Sequence, residues 1–187
     1  RGHVSSTFGL PVVLKKPDGT FSRGVVKART AAELEEKLDE VLKEGDLAIA
    51  QEFMPSEFDW RIGVLDGKPL YACKYFMAAG HWQIYNWDSG SRKGREGEAS
   101  TMLVEECPQH ILDTAVKAVM AIVGDQGLFG VDIKEAGGKP YVIEVNECPN
   151  IDHGVEDLAL GDGLYSAIMR SLKERIEAKI VAAQPPA

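Results

Sequence analysis

The sequence predicts an α+β fold in which most strands pair as antiparallel hairpins. Two pairs of apolar, strand-like runs flank short turn signals, Asp66-Gly67 and Gly137-Gly138, and such dipeptides favour tight hairpins. Helical periodicity is confined to a few separate segments that do not alternate regularly with the strands. This order is typical of an α+β domain and not of a doubly wound parallel sheet.

Each element is predicted from its own local pattern. Short runs rich in β-branched residues predict strands, clusters of Gly and Pro predict loops, and apolar residues spaced by three and four predict helices. In chain order these are a strand at 10–14, a loop at 17–24, a strand at 25–27, a helix at 30–44, a strand at 47–53, a hairpin at 60–76, a loop at 79–98, a helix at 108–124, a hairpin at 130–149 and a helix from 164. The predicted helix at 30–44 begins at the capping box Thr30-Ala-Ala-Glu33 and ends before Gly45.

Composition bounds the class of protein. The chain has 187 residues, 44% hydrophobic and 27% charged, which suits one large globular domain or two small ones. The net charge of −8 argues against nonspecific binding to nucleic acid, whose affinity comes from neutralised phosphates. No apolar run reaches membrane-spanning length, and the N-terminus lacks the apolar stretch of a signal peptide. Three widely spaced cysteines fit a reducing compartment, so we expect a cytoplasmic protein without nucleic-acid or membrane partners.

The most informative segment is the hairpin at 130–149, where three oxygen-bearing side chains interrupt apolar strands. Glu144 and Asn146 are two residues apart and so share one side of their strand, and the Gly137-Gly138 turn lets Asp132 lie across from them. Two carboxylates in one half-buried site repel unless a cation lies between them. Carboxylate and amide oxygens suit Mg²⁺, which keeps waters and substrate phosphates as further ligands. The alternative is an ordinary hairpin with polar residues on its wet face.

Lys15 and the loop that follows it are candidates for contact with phosphate. The loop is rich in Gly and carries the hydroxyls of Thr20 and Ser22, and exposed backbone N–H groups beside a Lys can cover a polyphosphate. The loop matches neither the GxxxxGK[ST] nor the GxGxxG pattern. A plain hairpin loop is the alternative interpretation.

Two further segments carry candidate site residues. The strand that ends at Gln51-Glu-Phe-Met54 offers free backbone groups beside apolar side chains, which suits a purine, although it also fits the plain end of a core strand. Asp59 and Arg61 share one face by parity, and such pairs are often surface ion pairs of little energetic value. Lys74 lies in mid-strand and requires an anion, either a structural carboxylate or a ligand phosphate.

Taken in order, these motifs resemble an ATP-grasp domain of the RimK-like, glutamate ligase type. The resemblance spans nearly the whole chain and is carried by Val12-Val-Leu-Lys15 with the loop at 18–25, Gln51-Glu-Phe-Met54, Asp59-Trp-Arg61, Gly130-Val-Asp132 and Glu144-Val-Asn-Glu-Cys-Pro149. It implies two α+β subdomains with mainly antiparallel sheets that enclose the nucleotide. On this basis 1–54 would be the N-terminal subdomain and 55–183 the C-terminal subdomain with the metal and phosphate site. The sequence itself predicts a flexible tail at 184–187, after the last helix.

The resemblance also implies an upstream lobe of the same protein. ATP-grasp enzymes normally carry an N-terminal lobe, and this chain enters its first strand almost at once, at Gly9-Leu10. We therefore expect that part of substrate binding lies outside this sequence.

The resemblance implies a role for each matching residue. For ATP these are Lys15 on a phosphate, the backbone of Glu52 and Phe53 on the adenine edge, Asp59 on the ribose and Asn86 within the ATP site. For one or two Mg²⁺ or Mn²⁺ ions they are Asp132, Glu144 and Asn146. Arg61 and Lys74 would neutralise the γ-phosphate or an acylphosphate and so act in catalysis.

Some positions depart from the family pattern. No Arg closely precedes Asn86, so the basic cluster Arg92-Lys-Gly-Arg95 in the stretch at 80–98 would have to compensate. That stretch is either a substrate loop or a solvated surface loop. Cys148 and Asn150 stand where Ser and Gly are commoner in the family, which concerns the acceptor side of the site.

The implied function is an ATP-dependent carboxylate–amine ligase that forms a peptide-like bond through an acylphosphate. Its ligands would be ATP, Mg²⁺ and an amino acid or peptide. The sequence shows no Ser-His or Cys-His constellation, and this chemistry needs no protein nucleophile. The alternatives are a catalytically silent nucleotide-binding module, which binds ATP without turnover, and a purely structural domain, which does not bind it.

Overall fold

A computed structural model describes residues 2–17, 19, 22–43, 45–87 and 96–182. Its elements in chain order are α1 (Gly2–Phe8), β1 (Val12–Lys15), β2 (Val26–Ala28), α2 (Ala31–Lys43), β3 (Ile49–Glu52), β4 (Phe58–Leu65), β5 (Lys68–Phe76), β6 (Ala99–Met102), a 3₁₀ turn (Val104–Glu106), α3 (Gln109–Ile122), β7 (Leu128–Ala136), β8 (Lys139–Asn146) and α4 (Asp162–Ala182). The α+β prediction is confirmed, and every predicted helix and strand has a counterpart.

Some features fall outside the sequence prediction. The helix α1, the strand β6 and the 3₁₀ turn have no predicted counterpart. Thr20 and the basic cluster Arg92–Arg95 lie outside the described residues, so the roles predicted for them stay predictions. Among the elements that the structure describes, no helix is both long and apolar enough to cross a bilayer.

The chain divides into two compact units. One comprises Arg1–Pro55 and Met77–Gly97, and the other comprises Ser56–Phe76 and Glu98–Ala187. The sequence-based division into 1–54 and 55–183 places the boundary at a single point. The units of the structure differ from it, because the chain returns to the first unit at Met77–Gly97.

The first unit is built on a three-stranded antiparallel sheet with the order β2-β1-β3. Its core consists of buried residues from β1, β2 and α2, namely Val12, Leu14, Ala28, Leu34 and Val41. The helix α2 begins as predicted, because the Thr30 hydroxyl accepts a hydrogen bond from the Glu33 N–H at 3.2 Å. Lys15 ends the central strand of this sheet.

The second unit is built on a five-stranded antiparallel sheet with the order β6-β5-β4-β7-β8. The core between this sheet and α3 consists of alternate strand residues and one face of the helix: Trp60, Ile62, Val64, Phe129, Val131, Ile133, Ile111, Leu112, Ala115 and Val119. Side chains alternate along a strand, so the intervening residues of β4 and β7 point to the opposite face. We call these the α3 face and the charged face of the sheet.

The turn between β4 and β5 also anchors α4. Asp66 and Gly67 have φ values of 48° and 72°, and positive φ at both central residues is what a type I′ hairpin turn requires. The Asp66 carboxylate accepts a hydrogen bond from the Gly127 N–H at 3.0 Å and another from the hydroxyl of Ser171, a buried residue of α4. The last helix is thereby fastened to the end of the sheet.

Candidate functional site

The charged face carries two ion pairs on neighbouring strands. Asp59 and Arg61 come from β4, and Asp132 and Lys134 come from β7. Arg61 and Asp132 are register partners. Arg61 donates Nε–H to Asp132 Oδ1 at 2.7 Å and Nη2–H to Oδ2 at 2.8 Å, which is the bidentate geometry of a strong charge-assisted pair.

The Arg61 guanidinium stays charged, and only some of its N–H groups are bound by described residues. Burial by itself lowers the pKa of Arg61, but the hydrogen bonds and negative charge of Asp132 raise it above its ordinary value. A third bond joins Arg61 Nη1 to Asn150 Oδ1 at 3.0 Å. A guanidinium has five N–H groups, so within the described residues two of them remain for a ligand anion.

Asp59 is held by the second ion pair. Lys134 Nζ lies 2.5 Å from Asp59 Oδ1 and 2.6 Å from the Ser56 hydroxyl, which itself donates to Asp59 Oδ1 at 2.9 Å. Burial raises the pKa of Asp59, and the charge and hydrogen bond of Lys134 offset only part of that rise. Both contacts use Oδ1, so in the described part of the chain Asp59 Oδ2 has no hydrogen-bond donor.

A β-bulge brings the polar residues of β8 onto the charged face. Pairing runs in simple register from the Gly-Gly turn as far as Ile133 and Val142, and then shifts by one residue. After the shift, Asp132 lies opposite Glu144 and not opposite Ile143. In unbroken register Glu144 would point to the α3 face, because a one-residue slip exchanges the two faces of a strand. Bulges re-aim side chains in this way.

The amide of Asn146 completes the group. Asn146 Nδ2 lies 3.2 Å from Glu144 Oε1 and 3.4 Å from Asp132 Oδ2, so the structure brings together the three side chains that the sequence singled out. An Asn side chain carries a donor and an acceptor at its tip, and rotation of the amide turns its oxygen toward the two carboxylates. The group then offers only hard oxygen ligands, which Mg²⁺ prefers.

This donor set is small. The described residues contain no group of three or more His, Cys, Asp and Glu side chains that could hold a metal ion. Two carboxylates and an amide nevertheless match the usual protein contribution to a Mg²⁺ site, where waters and substrate phosphates supply the other ligands. Asp132 can take part while it is bound to Arg61, because an ionised carboxylate has about four acceptor positions.

The loop between β8 and α4, residues 147–161, folds back onto the charged face. Gly130 makes room for it, since a Cβ at this position would lie only 2.8 Å from Pro149 Cβ. Pro149 therefore lies directly against the backbone of β7. This close approach carries Asn150 down to Arg61 and closes the third hydrogen bond of the guanidinium.

Lys74 does not join this group. It pairs with Trp60 across β4 and β5 and so lies on the α3 face, where its Nζ is 4.5 Å from the Phe58 ring centroid and 4.8 Å from that of Trp60. Two aromatic faces, which attract a cation, take the place of the anion expected for a mid-strand lysine. We therefore leave Lys74 out of the candidate catalytic group and keep Arg61.

The other residues predicted to bind ATP lie in the first unit. Lys15 and Glu52 are the last residues of β1 and β3. The Phe53 N–H donates to the Pro11 carbonyl at 3.3 Å, so this backbone donor is already used. Asn86 has a buried side-chain oxygen without a hydrogen-bond partner in the residues that the structure describes, which is the kind of group that a ligand satisfies.

The sequence prediction contains neither Lys134 nor the contact of Asn150 with Arg61. Asp132 and Lys134 repeat the acid-then-base spacing of Asp59 and Arg61 in the same chain order. Because the two strands are antiparallel, each acid meets the base of the other strand. That complementary spacing on facing strands is a signal that identifies both ion pairs. Asn150 lies in a loop, where no periodicity determines which way its side chain points.

Comparison with known proteins identifies the family. The sequence profile of the ATP-grasp domain matches residues 5–150, which is most of the chain. The chain belongs to the ATP-grasp domain family. Membership confirms the resemblance seen in the sequence and the ATP-grasp form of the α+β fold.

Relatives of the ATP-grasp domain include two kinds of ligase. A probable alpha-L-glutamate ligase 2 of Pseudoalteromonas atlantica is 32% identical over 168 residues, which cover 89% of this chain and 51% of the relative. A D-alanine–D-alanine ligase of Actinobacillus pleuropneumoniae is 26% identical over 149 residues, which cover 79% of this chain and 48% of the relative. The chain thus spans about half the length of the curated relatives that it matches.

A solved structure shows the same fold. The crystal structure of D-alanine–D-alanine ligase from Bacillus anthracis aligns with a TM-score of 0.67 at 21% sequence identity and covers 95% of this chain and 59% of its own. At this identity the likeness concerns the fold alone.

Proposed function

We propose that this ATP-grasp domain serves ATP- and Mg²⁺-dependent ligation of a carboxylate to an amine, as part of a RimK-like amino-acid or glutamate ligase. The observation that carries the proposal is the convergence of Asp132, Glu144 and Asn146 beside two N–H groups of Arg61 that no described residue accepts. The names of the relatives, glutamate ligase and D-alanine–D-alanine ligase, support it. Because the chain spans about half of those relatives, the activity is proposed for the complete protein.

The three side chains fit Mg²⁺ by their chemistry. They offer carboxylate and amide oxygens alone, and the Asn146 amide lies within 3.4 Å of both carboxylates. Asp132, Glu144 and Asn146 would hold the ion, and the bidentate contact of Arg61 holds the Asp132 carboxylate in one orientation. When bound, Mg²⁺ supplies Lewis-acid stabilisation of the charge on phosphate oxygens.

The proposed reaction needs positioning and positive charge more than it needs a protein nucleophile. A carboxylate is a poor electrophile because oxide leaves badly, and transfer of the γ-phosphoryl group converts it into an acylphosphate with a good leaving group. An amine then attacks the carbonyl carbon, and inorganic phosphate leaves. The unused N–H groups of Arg61 would stabilise the charge on the transferred phosphoryl oxygens.

The nucleotide contacts remain as the sequence predicts them. Lys15 would bind a phosphate, and the backbone of Glu52 and Phe53 would meet the adenine edge through groups other than the Phe53 N–H, which donates to the Pro11 carbonyl. Asn86 would contribute its side-chain oxygen, which has no partner among the described residues. Asp59 would accept a hydrogen bond from the ribose through Oδ2, since Lys134 and Ser56 both use Oδ1.

A catalytically silent ATP-binding module is the alternative. The observation in its favour is the match of residues 5–150 to the ATP-grasp domain, which supports nucleotide binding without reference to turnover. In that case the domain binds nucleotide, and no acylphosphate forms.

Turnover separates the two functions. The complete protein is incubated with ATP, Mg²⁺ and pairs of amino acids, with and without excess EDTA, and inorganic phosphate and amide products are measured. We expect phosphate release that depends on the amino acids and on Mg²⁺. Binding of the ATP analogue AMP-PNP with Mg²⁺ but no release with any pair would favour the silent module. Absence of AMP-PNP binding would rule out both.

A further inference from the structure

A chain of hydrogen bonds begins under the β8–α4 loop and leads to the candidate site. Glu156 is fully buried. Its Oε1 accepts a hydrogen bond from the Tyr75 hydroxyl, and its Oε2 accepts one from the Asp152 N–H at 2.8 Å. Each oxygen of this carboxylate thus has a protein donor and no contact with solvent, so Glu156 acts on the structure of the loop and not on a ligand.

The chain continues through Asn150. Its Nδ2 donates to Asp152 Oδ2 at 2.8 Å, and its Oδ1 accepts from Arg61 Nη1 at 3.0 Å. An amide that donates on one side and accepts on the other satisfies both contacts in only one orientation. Asn150 therefore holds one side of the guanidinium, while Asp132 holds the other.

Tyr75 also contacts the guanidinium itself. Arg61 Cζ lies 5.3 Å from the Tyr75 ring centroid, within the range of a cation–π interaction. One end of the Tyr75 side chain is fixed by its strand and the other by Glu156. A separate bond, from the Thr101 hydroxyl to the Val155 carbonyl at 2.6 Å, holds the same loop against β6.

We infer that Tyr75 and Glu156 are positioning residues that fasten the β8–α4 loop and thereby aim the two unused N–H groups of Arg61 at the phosphoryl group. The inference rests on the proposed function for the identity of that anion. Its physical basis is the free energy that is lost when the Glu156 carboxylate is buried. A fully buried carboxylate loses its hydration, and an apolar side chain of similar volume is often at least as stable. What the carboxylate gives in return is two directed hydrogen bonds that set the path of the loop.

Three variants of the complete protein test this role. Glu156→Ala removes both hydrogen bonds. Glu156→Gln keeps both, because its amide NH₂ can donate to the Tyr75 hydroxyl while its oxygen accepts from the Asp152 N–H. Ser171→Ala is the matched control, since it removes a hydrogen bond between a buried residue and Asp66 elsewhere in the same unit.

The first measurement reports on Arg61 and needs no ligand. In spectra of arginine-labelled protein, we expect the Nε–H resonance of Arg61 to shift and broaden in Glu156→Ala, to return to the wild-type position in Glu156→Gln, and to stay there in Ser171→Ala. A role limited to stability would leave this resonance in place. An unchanged Arg61 signal in folded Glu156→Ala protein would overturn the inference.

The second measurement is the affinity for AMP-PNP with Mg²⁺ by calorimetry. We expect Glu156→Ala to weaken binding about tenfold, and Glu156→Gln and Ser171→Ala by less than about threefold. Equal losses in the Ala and Gln variants would assign the effect to charge and overturn positioning. If the wild type does not bind AMP-PNP, the proposed function fails, and the Arg61 resonance still decides the inference.

If Glu156→Ala folds poorly, a second variant tests the same role. Tyr75→Phe removes one hydroxyl and keeps the ring over Arg61. We expect the same change in the Arg61 resonance, smaller in size, and a loss of affinity in the same direction. A folded Tyr75→Phe protein with wild-type resonance and affinity would overturn the role of Tyr75 and with it the inference.

Discussion

The two faces of the five-stranded sheet are made by the same strands and have opposite physical character. On the α3 face, Ile62, Val131 and Ile133 have no solvent-exposed surface. On the charged face, Arg61 and Asp132 remain 19% and 18% exposed. The change occurs from one residue to the next, since Asp132 and Ile133 are neighbours in β7.

The difference shows which face stabilises the fold and which face needs another explanation. Full burial of an Ile or Val side chain contributes about 1.5–3 kcal/mol. A buried ion pair gains little over apolar side chains of the same volume, because desolvation offsets most of the attraction. The α3 face therefore accounts for stability, and the charged face is explained by the ligand that it is proposed to bind.

The largest expected effect is on activity and comes from Glu144→Gln in the complete protein. The substitution removes one negative charge from the proposed Mg²⁺ ligands, and we expect phosphate release to fall by about 100-fold or more. Because Glu144 is exposed, the free energy of unfolding should change by less than about 0.5 kcal/mol. Both quantities are measured, by a phosphate assay and by urea unfolding. Glu177→Gln, the same change at an exposed site on α4, is the control, and full turnover in Glu144→Gln would contradict the metal assignment.

The next prediction concerns what the ion pair of the charged face contributes to the free energy of unfolding. Arg61→Met leaves the partly buried Asp132 carboxylate without its partner, and we expect the free energy of unfolding to fall by about 3 kcal/mol, the lower end for a broken buried pair because each side chain keeps some solvent contact. The double variant Arg61→Met/Asp132→Leu replaces the pair by apolar groups and should lie within about 1 kcal/mol of the wild type. Urea unfolding measures both proteins. A double variant no more stable than Arg61→Met would contradict this account.

A smaller effect is expected from the α3 face. Ile133→Val removes one methylene group from a fully buried position and should lower the free energy of unfolding by about 1 kcal/mol. The affinity for AMP-PNP with Mg²⁺ should not change, because Ile133 points away from Asp132. Glu144→Gln is expected to show the reverse pattern, so urea unfolding and calorimetry on the two variants separate the faces. A parallel loss of affinity in Ile133→Val would show that the faces are coupled.

Much of this division can be predicted from the sequence, because the alternation of side chains along a strand is set by backbone geometry. Parity places Asp59 with Arg61 and Glu144 with Asn146, and the Gly137-Gly138 turn predicts their hairpin. Parity does not reveal the bulge, however. The one-residue shift beside Asp132 exchanges the faces of β8, and no local composition signals it.

Other features depend on partners that are distant in sequence. Lys74 was expected to meet an anion, but its cross-strand neighbour is Trp60, which only the register of the hairpin determines. Glu156 lies in a loop without periodicity, and its partner Tyr75 is 81 positions away along the chain. Contacts of this kind follow from the assembled sheet and not from any local pattern.

The smallest expected effect uses the three cysteines as reporters. Cys73 lies on the charged face opposite Arg61, and Cys107 packs in the core beneath α3. Burial raises the pKa of both thiols to about 11. The thiolate is the reactive form, so at pH 8 both should react slowly with a thiol reagent and faster as the pH approaches that value. Cys148 is exposed and should be labelled first.

Loosening of the β8–α4 loop should change the labelling rate of the thiol on the charged face and not that of the thiol in the core. Thr101 contacts Cys73 and also holds the loop through Val155, so loosening of the loop exposes the thiol beside it. In Glu156→Ala we expect the labelling of Cys73 at pH 8 to accelerate a few-fold while Cys107 keeps its wild-type rate, as peptide mass spectrometry can measure. Local opening of a loop costs less free energy than opening of the core, which is why the two thiols should separate. Equal acceleration of both would mean that Glu156 stabilises the whole unit, and the two faces would then not be independent.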